Sequence, residues 1–546
     1  MTDTTTILLP SESAARGRWT LIAVCVATFM LLVDVTIVQV ALPTIQHHLD
    51  ASFTDLQWVI DAYALTLAAL ILTWGSVSDR FGRKRVFIAG LVVFTASSLL
   101  CGLAQSIDML IWSRALQGVG GAAMFATSLA LIGQDFQGPA RAKAIAAWGA
   151  TVGGAVAVGP IVGGALTSGV GWRWIFIVNV PIGVVAIWLS STKMRNQKDP
   201  GATRLDGLGL VSFAAAMFLL ELGLIRGNSL GWTSGPIVAM FAGSAAAILG
   251  FVLVELRQIR PMFDLSLFRK PGFTGVSVGT FAIGGGLFAL LPYLTLYLQN
   301  DLGYSPFAGG LRLLPLTVLA FLVPFAFRRP AQKLPPGVVL GAGFAISAAG
   351  IAAFLVVGPS SGWTDLIPGL VLSGVGVGIA NPAIASIGLG VVPPERSGMA
   401  SGISNTFRIA GLATGVAALG AVFQQRITTS LSSSVGPNAA AVGRVVSSAG
   451  VKAAAHGQAK TAAAAHVAFV SGLHPIFVIG AIAVALGTAL AVGLVRSKDF
   501  HRPTMPVSPT EPEPAGSTEA TTLGATEAWR QFALVSARPA EGTHTS

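Results

Sequence analysis

Gly75-Ser76-Val77-Ser78-Asp79-Arg80-Phe81-Gly82-Arg83-Lys84-Arg85 joins two apolar runs, residues 56–77 and 86–105. Each run is close to the ~20 residues that a helix needs to cross a bilayer core. The joint carries Arg80, Arg83, Lys84 and Arg85. Gly75 and Gly82 permit close approach of backbone. Asp79 can pair with the neighbouring cations or cap a helix N-terminus. A joint of this kind can latch two helical bundles on one side of a membrane and release when the state changes.

The same alternation continues through the chain. Apolar spans fall at 20–42, 56–77, 86–105, 108–132, 143–167, 174–192, 206–225, 235–256, 273–297, 307–327, 337–357, 366–390, 398–423 and 474–496. Fourteen spans define an all-α integral membrane protein. Composition agrees: 53% hydrophobic residues, 10% charged residues and a mean hydropathy of +0.73. The 65 glycines suit close helix packing in lipid. With Lys143 and Arg496, at the ends of their spans, counted with the adjoining loop and tail, 25 of the 34 Lys and Arg lie in the two tails and the loops that lead from even to odd spans. Seven lie on the other side, counting Arg312 near the outer end of its span, and Arg114 and Arg408 lie within spans. The positive-inside rule then places both termini in the cytoplasm of a cell whose plasma membrane holds the chain. The net charge of +11 therefore reads as orientation rather than nucleic-acid binding.

Outside the spans, residues 1–19 read as a polar tail and 499–546 as a disordered tail rich in Pro, Thr, Ala and Glu. The Ala/Ser/Gly-rich segment 424–473 reads as an external loop, with surface helix the other reading, and its His456 and His466, with His474 just beyond, as solvated groups rather than metal ligands. Cys25 and Cys101 lie in spans and read as reduced core residues. No G-x-x-x-x-G-K-[ST] loop, G-x-S-x-G elbow or H-E-x-x-H helix occurs. ATP-driven transport and the hydrolase chemistries those motifs carry are thus unsupported. The reading is of a non-enzyme with no metal and no cofactor beyond a proton gradient.

Ionisable groups in a bilayer are costly and call for a reason. Asp34 lies roughly 12 Å inside the outer end of its span, and Asp61 and Arg114 roughly 8–10 Å inside theirs, at 1.5 Å per residue. Desolvation there favours a protonated acid and a nearby Arg favours a carboxylate, so opening a cavity can load or unload a proton. Asp34 is the first candidate for coupling, with Arg114 tuning it; a static ion pair is the other reading. Asp61 stands between coupling and interfacial hydration. Glu221 reads as snorkelling or pairing with Arg226, and Glu255 as solvated. Spans 9–14 hold no acid, so that half offers apolar walls and groups such as Asn381.

Several motifs together resemble a known family. The 75–85 joint resembles the signature loop of the major facilitator superfamily. Leu32-Val33-Asp34-Val35-Thr36-Ile37-Val38-Gln39-Val40-Ala41-Leu42-Pro43 is similar to the first-helix motif of its drug:proton antiporters with fourteen spans, with Gln39 where Asn is usual. Arg114-Ala115-Leu116-Gln117-Gly118-Val119-Gly120-Gly121 and Gly159-Pro160-Ile161-Val162-Gly163-Gly164 resemble its fourth-helix and antiporter motifs. Trp172-Arg173-Trp174 through Asn179-Val180-Pro181 and Ser401-Gly402 with Asn405 and Arg408 also match. The resemblance implies two six-helix bundles, 20–198 and 263–498, with two inserted helices in 199–262. It implies alternating access around a midplane site, and a bend at Gly159, Pro160, Gly163 and Gly164 that seals against proton leak and marks export. The expected function is a proton-coupled antiporter, acting as a monomer, that exports amphipathic small molecules of cationic or neutral character. The alternatives are an exporter dedicated to one metabolite or self-made antibiotic, an uptake symporter, or a non-transporting membrane sensor or scaffold.

Overall fold

The computed structural model describes residues 10–136, 138–195, 207–258, 263–331, 333–390, 397–435, 438–455 and 459–495, apart from some helical side chains. The expectation for 499–546 and residues 1–9 of the N-tail lie outside the described residues. Regular structure among the described residues is helical throughout. The main helices are α1 Pro10–Leu49, α2 Phe53–Phe81, α3 Arg83–Gly102, α4 Ile107–Asp135, α5 Gly138–Gly169, α6 Asn179–Lys193, α7 Gly207–Leu230 and α8 Gly235–Arg257. They continue as α9 Pro271–Gly286, α10 in two pieces Pro306–Arg312 and Leu314–Ala331, α11 Pro336–Ala353, α12 Ile367–Gly390, α13 Ser397–Val435, α14 Ala439–Ala455 and α15 Ala459–Leu494. Beyond α9 the chain winds on through Leu291–Leu296 and a π-turn at Tyr297–Asp301. Eleven described helices are long and apolar enough to cross a membrane, or twelve with the α10 pieces, bent by 42°, taken as one. Helices α2 and α5 include side chains outside the described set and do not enter that count.

Local chemistry sets the helix ends. Ser52 and Asp55 form a reciprocal capping box at the start of α2, and Ser106 accepts from the Met109 N–H at the start of α4. Gly82 ends α2 and begins α3 at φ +102°, a backbone state that residues with a Cβ rarely adopt. Small residues then let helices touch: a Cβ at Gly90 would lie 2.9 Å from the Gly120 carbonyl, which brings α3 onto α4. Trp112, Trp188, Leu208, Val211, Leu249 and Leu486 are exposed, as on a surface solvated by lipid rather than water.

Helices α1–α6 pack among themselves, and α9–α13 and α15 do likewise. Helix α7 pairs with α8 and also packs on α2 and α13, one helix from each group. Two expectations change. Helix α1 begins at Pro10, not near residue 20, because its first turns are too polar for an apolar run to register. The 424–473 segment is helical wherever it is described. Its Ile427, Leu431, Val446, Ala465, Ala468 and Phe469 are buried in the main core. An Ala-rich amphipathic pattern carries helix without the hydropathy of a span, so span counting passed over it.

Candidate functional site

A central cavity lies between the two helix groups. Its wall includes Leu31, Val35, Tyr63 and Phe125 from one group, and Phe288, Val377 and Leu412 from the other. Thr36, Gln39, Asn381, Arg114 and Arg408 supply polar atoms to an otherwise apolar surface. Two guanidinium groups and no carboxylate line it among the described residues. The expected preference for cations rested on an acid in the wall. The structure sets Asp34 behind the wall, fully buried.

Asp34 on α1 accepts from Arg114 Nη1 on α4. Gln117 Nε2, one turn further along α4, donates to Asp34 Oδ1 at 2.9 Å, and Asn179 Nδ2 of α6 reaches the same oxygen at 3.3 Å. Gln117 also donates to Ser98 Oγ of α3 at 2.7 Å and accepts from Arg114 Nη1 at 2.6 Å. Arg114 Nε donates to the Val59 carbonyl at 3.2 Å, and its guanidinium stands 4.1 Å from the Tyr63 ring centroid. Five helices therefore meet on one ion pair. Burial makes every member depend on the others, because a buried charge without its partner is costly. Of these residues, Gln117, Asn179 and Ser98 carried no assigned role in the sequence. Only the three-residue spacing of Gln117 from Arg114 pointed to a shared helix face.

Asp61 does not join this network. It lies fully buried at the junction of α2, α7 and α13, and Glu221 of α7 is its charged neighbour. Glu221 is also fully buried and accepts from Thr414 Oγ1 at 3.1 Å, whereas Arg226 is exposed. Snorkelling and pairing with Arg226 are both excluded by that placement. Glu255 is buried too and accepts the Phe263 N–H at 3.2 Å, so it is not solvated. His466 bonds Asp301 Oδ1 at 2.8 Å and the Pro359 carbonyl at 2.6 Å. His474 bonds the Val357 carbonyl at 2.6 Å. Helix α15 holds both histidines in place.

The 75–85 joint is anchored within its own helix group. Arg83 Nη1 donates to the Ala130 carbonyl of α4 at 3.2 Å. Lys84 Nζ donates to the Ser191 carbonyl at 2.6 Å and the Met194 carbonyl at 2.9 Å, at the end of α6. Arg80 is exposed, and the Asp79 side chain lies outside the described residues. Gly75 is not a close-approach point, since a Cβ there would meet nothing within 4 Å. Gly82 is needed for its positive φ.

The α5 motif makes two contacts. A Cβ at Gly159 would lie 1.8 Å from Thr36 Oγ1, and one at Gly163 would lie 3.0 Å from the Ile37 carbonyl, so both glycines seat α5 on α1. Gly164 faces the other group: a Cβ there would lie 2.7 Å from Phe307 Cα. Opposite it, a Cβ at Gly310 would lie 2.3 Å from the Pro160 carbonyl. Gln299 Nε2 donates to the Val40 carbonyl at 2.8 Å, and Gln57 Nε2 to the Val416 carbonyl at 3.2 Å. These contacts join the two groups at the expected outer end.

The Major Facilitator Superfamily model matches residues 24–418. The chain is 33% identical over 399 residues to the Methylenomycin A resistance protein of Streptomyces coelicolor, covering 72% of this chain and 83% of the relative. It is 34% identical over 413 residues to the Multidrug resistance protein Stp of Mycobacterium tuberculosis, covering 76% and 77%. It is also 34% identical over 427 residues to the Tetracenomycin C resistance and export protein of Streptomyces glaucescens, covering 76% and 78%. Among solved structures it resembles a bacterial homologue of the human lysosomal transporter Spinster, in an inward-facing and unoccupied conformation. That match has a TM-score of 0.61 and 18% identity, covering 89% of this chain and 99% of the other. The helical architecture, the family match and these relatives agree: the chain is a multi-pass membrane transporter belonging to the major facilitator superfamily.

Proposed function

We propose that the protein is a proton-coupled exporter of amphipathic small molecules that works by alternating access from the cytoplasm, with fourteen spans and both termini inside. The observation that carries this reading is the Asp34–Arg114 pair, buried beside the cavity, with Arg114 on the cavity wall and Asp34 behind it. The intact pair holds Arg114 in the cavity wall, where a substrate oxygen can accept from it. Protonating Asp34 removes its charge and loosens the guanidinium from that position. Proton and substrate then favour opposite states of one network, which is the requirement for antiport. The names of the relatives, two of them for resistance to or export of a single antibiotic and one for multidrug resistance, support export.

The energetics suffice. A proton moving inward through 100 mV releases about 2.3 kcal/mol, and a tenfold substrate gradient costs about 1.4 kcal/mol. The wall favours neutral or acidic amphiphiles with hydrogen-bond acceptors over permanent cations, because Arg114 and Arg408 face the cavity and, among the described residues, no acid lines its wall. The second reading, an exporter dedicated to one compound, draws on the single-antibiotic names. A panel of neutral, acidic and cationic dyes and drugs in energised inside-out vesicles separates the two. Proton release with many members supports broad export, and release with one member supports a dedicated exporter. Release that survives in Asp34→Asn would refute the assigned role of the pair.

A further inference from the structure

A second acid site stands apart from the Asp34 network. Leu65 of α2, Met217 of α7 and Ala410 of α13 share one buried apolar cluster. One helical turn from each, all towards the expected outer end, come Asp61, Glu221 and Thr414. The three helices thus stack a polar layer directly on an apolar one. Asp61 and Glu221 are both fully buried. Neither Asp61 oxygen has a hydrogen-bond partner among the described residues, and Glu221 Oε2 has none. Glu221 Oε1 accepts from Thr414. Beside Asp61, the neutral Gln57 Nε2 and Tyr293 hydroxyl both donate to the Val416 carbonyl, at 3.2 and 2.6 Å. Of the cations on these helices, Arg80, Arg226 and Arg426 are exposed, and Arg408 bonds Asn405 Oδ1 at 3.0 Å.

Two carboxyl groups buried together with no cation cannot both carry charge, because isolated buried charge is far costlier than a neutral acid. We infer that Asp61 and Glu221 form a proton-holding carboxyl pair at the α2–α7–α13 seam, through which the inserted helix α7 takes part in the transport cycle. Polar contacts tie α7 to α13 at Thr414–Glu221 and at Asn228–Ala421, the latter 2.6 Å, while Gln57 ties α2 to α13. Parting α2 from α13 would bring water to both acids and let protons leave. Closing the seam would require protons to return.

The use of this pair in transport rests on the proposed antiport, but its chemistry is tested without transport. Infrared spectra of the purified full chain, in the carbonyl stretching region of protonated carboxylic acids, are compared at neutral pH for wild type, Asp61→Asn, Glu221→Gln and Asp34→Asn. The expected result is a protonated-acid band that loses intensity in both Asp61→Asn and Glu221→Gln and persists in Asp34→Asn. Thr414→Val, which removes only the hydroxyl donor, should shift the band and so serves if either acid variant fails to fold. A wild-type spectrum without such a band, or a band unchanged by all three seam substitutions, overturns the inference. In vesicles, Glu221→Gln should lower the protons released per substrate molecule. An intact band with no proton-linked transport in wild type would sink the antiport reading and leave the pair standing.

Discussion

The two buried acid sites solve the same physical problem in opposite ways. Asp34 is paired with Arg114 and also accepts from Gln117 and Asn179. Among the described residues, Asp61 and Glu221 bond no cation and have only one side-chain donor, Thr414, between them. The first site is stable only while its partners stay, and the second only while its protons do. A proton entering the first loosens a network that reaches α1, α2, α3, α4 and α6. A proton leaving the second places charge in an apolar seam. In the proposed cycle, the contrast suits the Asp34 network to proton-for-substrate exchange and the seam to sensing separation of the two helix groups.

Substitutions sharpen that contrast. Arg114→Ala should have the largest effect, because it strands a buried carboxylate; a loss of about 3–5 kcal/mol is expected for breaking a buried pair. Thermal melting in detergent would show it, and a stability equal to wild type would break the comparison. Gly159→Ala should cost about 1–3 kcal/mol by overpacking α5 against α1. The added Cβ would lie 1.8 Å from Thr36 Oγ1 and 2.7 Å from Thr36 Cβ, so Thr36→Ala in the same chain, which removes the closer atom, should recover part of the loss. Thr414→Val should cost about 1 kcal/mol, the net worth of one hydrogen bond. Glu221→Gln should be close to neutral in melting, because it exchanges a neutral acid for a neutral amide of the same shape. A large loss there would mean that Glu221 is held as a charge.

Much of this was legible in the chain. The apolar rhythm and the alternation of basic loops gave the membrane class, and the motifs gave the family. Asp34, Arg114 and the α5 glycines were readable because a charge or a run of glycines within a span is rare and costly. What escaped has physical causes. Asp61 and Arg114 lie at similar depth, and depth along a helix says nothing of azimuth, so Asp61 was grouped with a network it does not touch. Glu221 lies near a span end, where snorkelling is the ordinary fate of an acid. Its burial depends on α13, nearly two hundred residues distant in sequence, a separation of 193 between Glu221 and Thr414. Arg408 was visible as an intramembrane cation, but its place on the cavity wall depends on how the two helix groups meet. Hydropathy left the 424–473 segment outside the packed core, as loop or surface helix, because alanine forms helix without being strongly apolar, whereas Ile427, Val446 and Phe469 are buried in the core.

The most direct test of the central claim is proton movement in energised inside-out vesicles, read with a pH-sensitive dye, for wild type, Asp34→Asn and vector alone. Adding substrates from the neutral, acidic and cationic panel should release protons from wild-type vesicles, with no release from Asp34→Asn or vector. Substrate-linked release undiminished in Asp34→Asn, or none from folded wild type across the panel, would contradict the account.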